Sequence, residues 1–579
     1  MRKTKIVATL GPASKGQEMV LRLCKAGVNV FRLNFSHGTH EEHYEHIENI
    51  KNADVPAALM LDTQGPEVRT GLVEGEVELI KGKELILTGE EILGTCERIS
   101  VSYPNLAKEI EKGKIILLAD GLIELRVLET KGKEIRCKIL NGGKLTSRKG
   151  VNLPGTKLNL PPMTAKDEED IKFGIAHEID FIAASFIRKA EDVIAIRRVL
   201  EENYSQAQII SKIENQEGVN NIDEIIEVSD GIMVARGDMG VELPAEKVPV
   251  IQKQIIHSCN RAGKPVITAT QMLESMINNP RPTRAEASDI ANAILDGTDA
   301  TMLSGETAMG KYPVESVETM ARIARETENS LPYKINVFEG QKEKMPSTVT
   351  DAVSYATCAT ANDLKASAII TSTRSGHTAR MVSKYRPKSQ IIAATPNHQV
   401  LRQLMLSWGV YPLFVEGTGD TDAIIDSSVK GALQAGLINS GDLVVITTGA
   451  PAGIQGTTNL MKVHTVGEIW ARGTGIGRSS AVGSLKLAQT AEEAIRKVEK
   501  GDILVAFETD KDYMPALEKI SGLITEEAGL TSHGAIVGLN LGIPVIVGVE
   551  DALSRLEDGE MATIDGLRGL IYRGEAKVL

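Results

Sequence analysis

The sequence predicts an α/β protein built on a (β/α)₈ barrel of the TIM type, with a small β-barrel domain inserted into it and further α/β domains behind it. Three observations carry this. Eight apolar runs (KIVATL, VNVFRL, AALML, FIAAS, QIISKI, GIMVA, PVITA and ATMLS) alternate with amphipathic stretches such as Glu168 to Ala176 and Val248 to Arg261, which is how parallel strands joined by helices read. Polar residues gather where those runs stop: Arg32, Asp62, Ser185, Lys212, Asp238 and Thr270 all fall at predicted carboxyl-terminal strand ends, where such barrels place their chemistry. Between the third and fourth runs the period changes to short alternating strands. An open doubly wound sheet is the main alternative for the same eight units.

Taken in order, residues 1–69 and 167–345 supply the barrel. The interruption, residues 70–166, contains EVELIKGKELILTG, KIILLADGLIELRVLE and KEIRCKIL with Lys-Gly and Asn-Gly-Gly turns, the mark of hairpins. It reads as a small β-barrel able to close over the site as a lid. Asn329 to Thr348 is polar, carries two prolines and reads as a linker. Residues 346–472 alternate again (ASAIITS, QIIAAT, LVVITTG), predicting an α/β domain on a five-stranded sheet. A glycine-rich joint, ARGTGIGRSS, leads to residues 475–579, whose own strands DILVAFET, IPVIVGV and GLIYRG suffice for an independent domain.

A chain of 579 residues exceeds a single core. Its five cysteines, Cys24, Cys96, Cys137, Cys259 and Cys358, are scattered without a CxxC pair, which supports neither a disulfide framework nor a zinc site. A net charge of −12 argues against nucleic acid as a partner, so an anionic substrate needs local cations. No apolar run is long enough to cross a bilayer, and MRKTKIVATLGPAS enters a strand-like segment directly. Together these predict a cytoplasmic protein.

The densest chemistry lies in IISKIENQEGV. Side chains two apart on a strand share a face, so Lys212 and Glu214 emerge together, with Asp238 at the end of the next run, GIMVARGD. One ammonium and two carboxylates suit a divalent ion beside phosphate or an enolate; the plainer reading is a buried ion pair that fixes strand register. In FRLNFSHG the same period groups Arg32, Asn34 and Ser36, a guanidinium for phosphate and two neutral oxygens. With Asp62 and Thr63 from LDTQGPEVRTG these oxygens make a plausible monovalent-cation site, or ordinary strand-end polarity. Thr270, after the seventh run, could equally cap a helix.

FRLNFSHG, LDTQGPEVRTG, SRKGVNLPG, IISKIENQEGV, MVARGDMG, ATQMLESM and DATMLSGETA, in this order over roughly residues 1–472, together resemble the pyruvate kinases. The resemblance implies phosphoryl transfer from phosphoenolpyruvate to ADP, giving pyruvate and ATP in the last step of glycolysis, with Mg²⁺ and usually K⁺. By motif, Glu214 and Asp238 match the Mg²⁺ ligands, and Lys212 the group that steadies the shifting charge. The amides of Gly237 and Asp238 with the Thr270 hydroxyl match the holders of the substrate carboxylate, Thr270 also lying near the face where the enolate is protonated. Arg32 matches the phosphate-binding arginine. Arg69 and Lys149 match nucleotide contacts, and Asn34, Ser36, Asp62 and Thr63 the K⁺ site. Glu67 is the residue type of K⁺-requiring members, lysine standing there in K⁺-independent ones. A homotetramer is implied as well.

TSTRSGHTAR follows a predicted strand and enters a helix, so it reads either as a phosphate cradle or as a plain capping turn. The resemblance favours an allosteric pocket for a phosphorylated effector at Ser372, Thr373, Arg374, Ser375 and Thr378. The last domain, with GLITEEAGLTSHGAIVGLNLGIPVIVG, resembles the swivelling phosphohistidine domain of phosphoenolpyruvate-utilising enzymes, His533 standing at the phosphorylated position. Ala528 and Gly534 depart from that pattern, and no nucleotide-grasping domain accompanies it. The expectation is therefore a packing or regulatory module whose His533 takes no part in the main reaction. Rival readings are a dikinase-like enzyme working through phosphorylated His533 and a non-catalytic metabolite sensor.

Overall fold

The computed structural model describes residues 2–330, 348–416, 420–449, 458–467, 469–477 and 479–577. The chain falls into two compact units, Met1–Gly340 with Asn397–Pro412, and Gln341–Pro396 with Leu413–Leu579.

All eight predicted runs become strands of one closed parallel barrel: β1 (Lys5–Thr9), β2 (Val30–Asn34), β3 (Ala58–Asp62), β4 (Phe181–Ala184), β5 (Gln208–Ile213), β6 (Gly231–Ala235), β7 (Val266–Ala269) and β8 (Ala300–Leu303). β8 pairs back onto β1, Lys5 opposite Ala300, which removes both sheet edges and excludes the open sheet. The strands' period of two then sorts the side chains. Val7, Val30, Met60, Phe181, Ile210, Met233 and Ile267 fill the interior, while Ile6, Phe31, Leu61, Ile182 and Ile209 face the helices. Two residues further along the inward columns stand Thr9, Arg32, Asp62 and Lys212. A polar layer therefore lies directly on apolar ones.

The floor of this barrel is closed from a place the sequence reading did not foresee. Asn397–Pro412, assigned by sequence to the α/β domain, belongs to the barrel's unit, and its Met405 and Leu406 join the interior core. Arg402 Nε donates to Asp180 Oδ1 at 2.8 Å, Trp408 N to Asp299 Oδ1 at 3.2 Å and Lys5 Nζ to the Val410 carbonyl at 2.5 Å.

The insertion is built mainly of short β-strands, with one helical turn at Leu106–Glu109. In place of one closed ladder it forms a six-stranded sheet and a two-stranded ribbon around a common core that includes Leu85, Ile99, Ile116, Leu125 and Cys137. The chains entering and leaving it pair with each other: Thr70 N donates to the Lys149 carbonyl at 2.8 Å and Val151 N to the Val68 carbonyl at 2.8 Å.

In the second unit the five-stranded sheet is present, its edge strand Thr458–Thr465 antiparallel. The stretch read as a glycine-rich joint is largely strand instead: Ile469–Arg472 and Thr474–Ile476 form the two edges of the last, eight-stranded sheet. Backbone pairing with Leu570–Arg573 and Val545–Val547 outweighs the flexibility of its glycines. The linker expected at Asn329 to Thr348 lies, apart from its ends, outside the described residues. Among the described residues no helix is long and apolar enough to cross a membrane.

Candidate active site

The polar layer at the mouth of the barrel is one connected network. Asp62, 1% exposed, accepts from Arg32 Nε at 2.6 Å through Oδ2 and from Lys212 Nζ at 3.0 Å through Oδ1. Arg32 Nη1 donates to Thr9 Oγ1 at 3.0 Å. Lys212 Nζ also donates to Ser185 Oγ at 2.7 Å and lies 3.1 Å from Glu214 Oε1. Glu214 Oε2 accepts from Phe186 N at 2.6 Å, an amide offered by a residue with φ of 56°, a conformation rare for a bulky side chain. Room for that turn comes from Gly65, where a Cβ would lie 2.8 Å from Phe186 Cδ2 and 2.9 Å from Ser185 Cβ.

The charges hold one another in place. Burial alone would lower the Lys212 pKa, but the carboxylates of Asp62, Glu214 and Asp238 outweigh it and leave the ammonium firmly protonated. Burial likewise disfavours the Asp62 anion, yet Arg32 and Lys212 pull its pKa below the ordinary carboxylate range. Glu214 and Asp238 go the other way. Burial raises both, and although Lys212 opposes, Asp238 repels Glu214 while Glu67 and Asp120 repel Asp238. Negative charge is crowded here around too little positive charge, and a divalent cation would relieve it.

On the far side of the mouth, the helix Arg236–Glu242 follows β6 and carries Gly237 and Asp238. Gly237 N donates to Thr270 Oγ1 at 2.7 Å, so the Thr270 hydroxyl accepts from the first turn of a helix it does not itself begin. Thr270 and Gln271 have φ of 67° and 53°, strained values for side chains of this kind. Arg236 holds this bend through the carbonyls of Ala269 (3.2 Å), Thr270 (2.7 Å) and Gln271 (3.4 Å), and is itself gripped by both Asp289 oxygens at 2.8 and 2.7 Å.

The sequence-selected residues of the barrel mouth are thus brought together, with one correction. The shared strand face expected for Arg32, Asn34 and Ser36 ends early: β2 stops at Asn34, and Ser36 sits in a turn placed by its amide donating to Asn34 Oδ1 at 3.2 Å. Asn34 and Asp62 are direct neighbours across β2 and β3, and Thr63 Oγ1 accepts from Ser185 N at 3.2 Å. Arg69 bonds Glu67 Oε2 at 2.8 Å. Sequence reasoning missed Arg236, Asp289, Thr9 and Asp120. Only Arg236, lodged between strand and Gly-Asp, stood beside a residue already chosen.

In the second unit, Ser372 ends the strand Ala368–Ser372 and its hydroxyl meets Ser428 Oγ at 2.9 Å. Thr373 Oγ1 accepts from Gly376 N at 3.0 Å, Thr378 Oγ1 meets Thr458 Oγ1 at 2.8 Å, the Ser375 carbonyl accepts from Arg380 at 3.1 Å, and Arg374 is exposed. His533 opens the helix His533–Leu541, its Nδ1 3.1 Å from Thr509 Oγ1.

Comparison with known proteins agrees with this geometry. Residues 1–317 match the family model "Pyruvate kinase, barrel domain" and residues 351–464 "Pyruvate kinase, alpha/beta domain". The chain belongs to the pyruvate kinase family. As a member it is an enzyme. The family's relatives include pyruvate kinases of Geobacillus stearothermophilus, 55% identical over 586 residues and covering 100% of both chains, and of Bacillus licheniformis, 53% identical with the same full coverage. A crystal structure of a pyruvate kinase from Cryptosporidium parvum superposes with a TM-score of 0.76 at 43% identity, covering 80% of this chain and 96% of the other. Residues 498–569 match "PEP-utilising enzyme, mobile domain".

Proposed function

We propose that this pyruvate kinase transfers the phosphoryl group of phosphoenolpyruvate to ADP at the mouth of the barrel, with Mg²⁺ at Glu214 and Asp238 and K⁺ at Asn34, Ser36, Asp62 and Thr63. The observation that carries the reading is Lys212, a buried ammonium suspended between Asp62 and Glu214. The donor set fits a hard divalent ion. Among the described residues no group of three or more His, Cys, Asp or Glu is arranged to hold a metal alone, and Mg²⁺ characteristically takes one or two carboxylates and completes its shell with substrate oxygens and water. When bound, the ion would offset negative charge on the reacting oxygens.

The chain's own groups do the positioning. Arg32 meets the phosphoryl group, its guanidinium aligned by Asp62 and Thr9. The amides of Gly237 and Asp238 and the Thr270 hydroxyl hold the substrate carboxylate. Arg69 and Lys149, adjacent to the paired chains at the root of the insertion, hold the nucleotide. The bond from phosphorus to the enol oxygen breaks as a bond from phosphorus to a terminal ADP oxygen forms. Lys212 faces the enolate oxygen left behind, and carbon then takes a proton on the Thr270 side. This is catalysis by orientation and fixed charge. A coupled assay of pyruvate formation with ADP, Mg²⁺ and K⁺ tests it: the parent turns over and Lys212→Ala does not, and equal rates overturn the reading.

The same proposal includes a cytoplasmic homotetramer activated by a phosphorylated metabolite at Ser372, Thr373, Arg374, Ser375 and Thr378. Activation that survives replacement of Arg374 and Thr378 by alanine would remove that part. His533 stays outside the main reaction, and labelled phosphate on it after incubation with phosphoenolpyruvate would reverse this.

A further inference from the structure

Glu242 is a carboxylate in an unfavourable place. It ends the helix Arg236–Glu242, where the helix dipole repels an anion, and burial pushes its pKa up. Its compensation comes from the insertion. Leu153 N donates to Glu242 Oε1 at 3.3 Å, and the neighbouring Asn152 side chain favours the charged form of the same carboxylate. Both residues lie on the chain that returns from the insertion to the barrel, three and four residues after Lys149. The preceding residue of the helix, Val241, meets the insertion as well, 3.6 Å from where a Cβ on Gly121 would stand.

The other end of this helix is the site. Gly237 and Asp238 occupy its first turn, and Gly237 N is fixed to Thr270 Oγ1. In a helix of seven residues, held at its start by Arg236, a shift at the last turn moves the first. The return chain has a defined pivot. Arg188 pins it to the barrel through the carbonyls of Leu158, Leu160 and Pro161 at 3.3, 3.0 and 3.1 Å, and between that pin and Asn152 it borders a cavity of about 360 Å³ lined in part by Glu67, Thr156, Phe186, Asn215 and Glu242. There is space for it to swing.

We propose that Glu242 is a positioning residue that couples the insertion's return chain to the helix carrying Gly237 and Asp238, so that the angle of the insertion sets the alignment of the substrate-holding amides. This rests on the functional reading above for its kinetics and stands apart from it in structure, so two measurements are paired. In the coupled assay, Glu242→Ala lowers kcat by about tenfold, a usual size for coupling between sites, and raises the KM for ADP. Glu242→Gln, which still accepts the Leu153 amide, stays within about twofold of the parent. Asn152→Ala gives a smaller loss, and the double variant is no worse than Glu242→Ala alone, as expected for two partners of one contact.

In hydrogen exchange without substrates, the Leu153 amide exchanges faster in Glu242→Ala and not in Glu242→Gln. Parental kcat in Glu242→Ala overturns the proposal, as do additive losses or a glutamine variant as slow as the alanine one. Where Glu242→Ala does not fold, parental kinetics in Asn152→Ala overturn it. A parent chain without turnover sinks the functional reading alone, and unchanged Leu153 exchange in Glu242→Ala, or in Asn152→Ala in its place, sinks the proposed coupling alone.

Discussion

Two buried lysines occupy opposite ends of one barrel, and their surroundings differ completely. At the mouth, Lys212 faces Asp62 and Glu214 at 3.0 and 3.1 Å, and its charge is secured against burial. At the floor, Lys5 is 3% exposed. Its Nζ bonds the Val410 carbonyl and sits 5.1 Å from the centre of the Tyr411 ring. Burial, helped by Arg2, lowers its pKa from 10.5 to about 7, against weaker support from Glu328 and Asp299. On β1, the residues Lys5, Val7 and Thr9 share one face, with Thr9 serving the mouth and Lys5 the floor. The same fold element therefore carries a network of paired charges at one end and a closure at the other. Carboxylates at the right distance, and not burial, decide whether a buried lysine keeps its charge.

The largest effect expected is at the mouth. Lys212→Met should lower kcat by about 10²–10³-fold, the range for losing one well-placed donor to a developing anion. It should also destabilise the fold by ~3–5 kcal/mol, because Glu214 remains buried without its cation and Asp62 keeps only Arg32 as its cation. Coupled kinetics with denaturant titration reads both. A variant that keeps parental turnover would erase the distinction between the two lysines.

How far the sequence announced this contrast depends on how local each signal is. The eight strands were legible because apolar runs and their spacing are local, and Lys212 with Glu214 because the strand's direction carries over to Glu214, one residue past the end of β5. Ser36 escaped the same rule because β2 ends at Asn34, and strand ends are set by backbone partners far off in the chain. Asn397–Pro412 was misplaced because nothing in its composition says that Met405 and Leu406 fit under a barrel whose strands precede them by a hundred residues or more. Asp289 and Glu242 were invisible for that reason too: each owes its role to a partner tens of residues away.

A smaller change sharpens the picture at the mouth. Glu67 is mostly buried and its pKa is raised by burial and by Glu214 and Asp120, against Arg69. Glu67→Lys would bring an ammonium beside the proposed K⁺ site and remove one of the repelling carboxylates. Turnover measured without K⁺ should rise several-fold and the activation by added K⁺ should flatten. An unchanged K⁺ activation curve would mean that charge at this position does not substitute for the ion.

The smallest effect belongs to the floor, where the sign matters more than the size. The folded-state pKa of Lys5, about 7, lies below its ordinary 10.5. Below pH 7 the amine is protonated folded and unfolded alike, and its burial weighs fully against the fold. Between pH 7 and 10.5 the unfolded chain holds a proton that the native one has released, so stability rises with pH by at most ~1.4 kcal/mol per unit from this group. Lys5→Met keeps the length of the side chain and removes the charge, so it should gain about 1–3 kcal/mol at pH 7 and flatten the rise between pH 7 and 9. Turnover should stay at the parental value. Denaturant titrations of both chains at the two pH values decide it: a variant less stable at pH 7, or one with the parental slope, would mean that the Val410 carbonyl and the Tyr411 ring secure the ammonium as well as carboxylates do at the mouth.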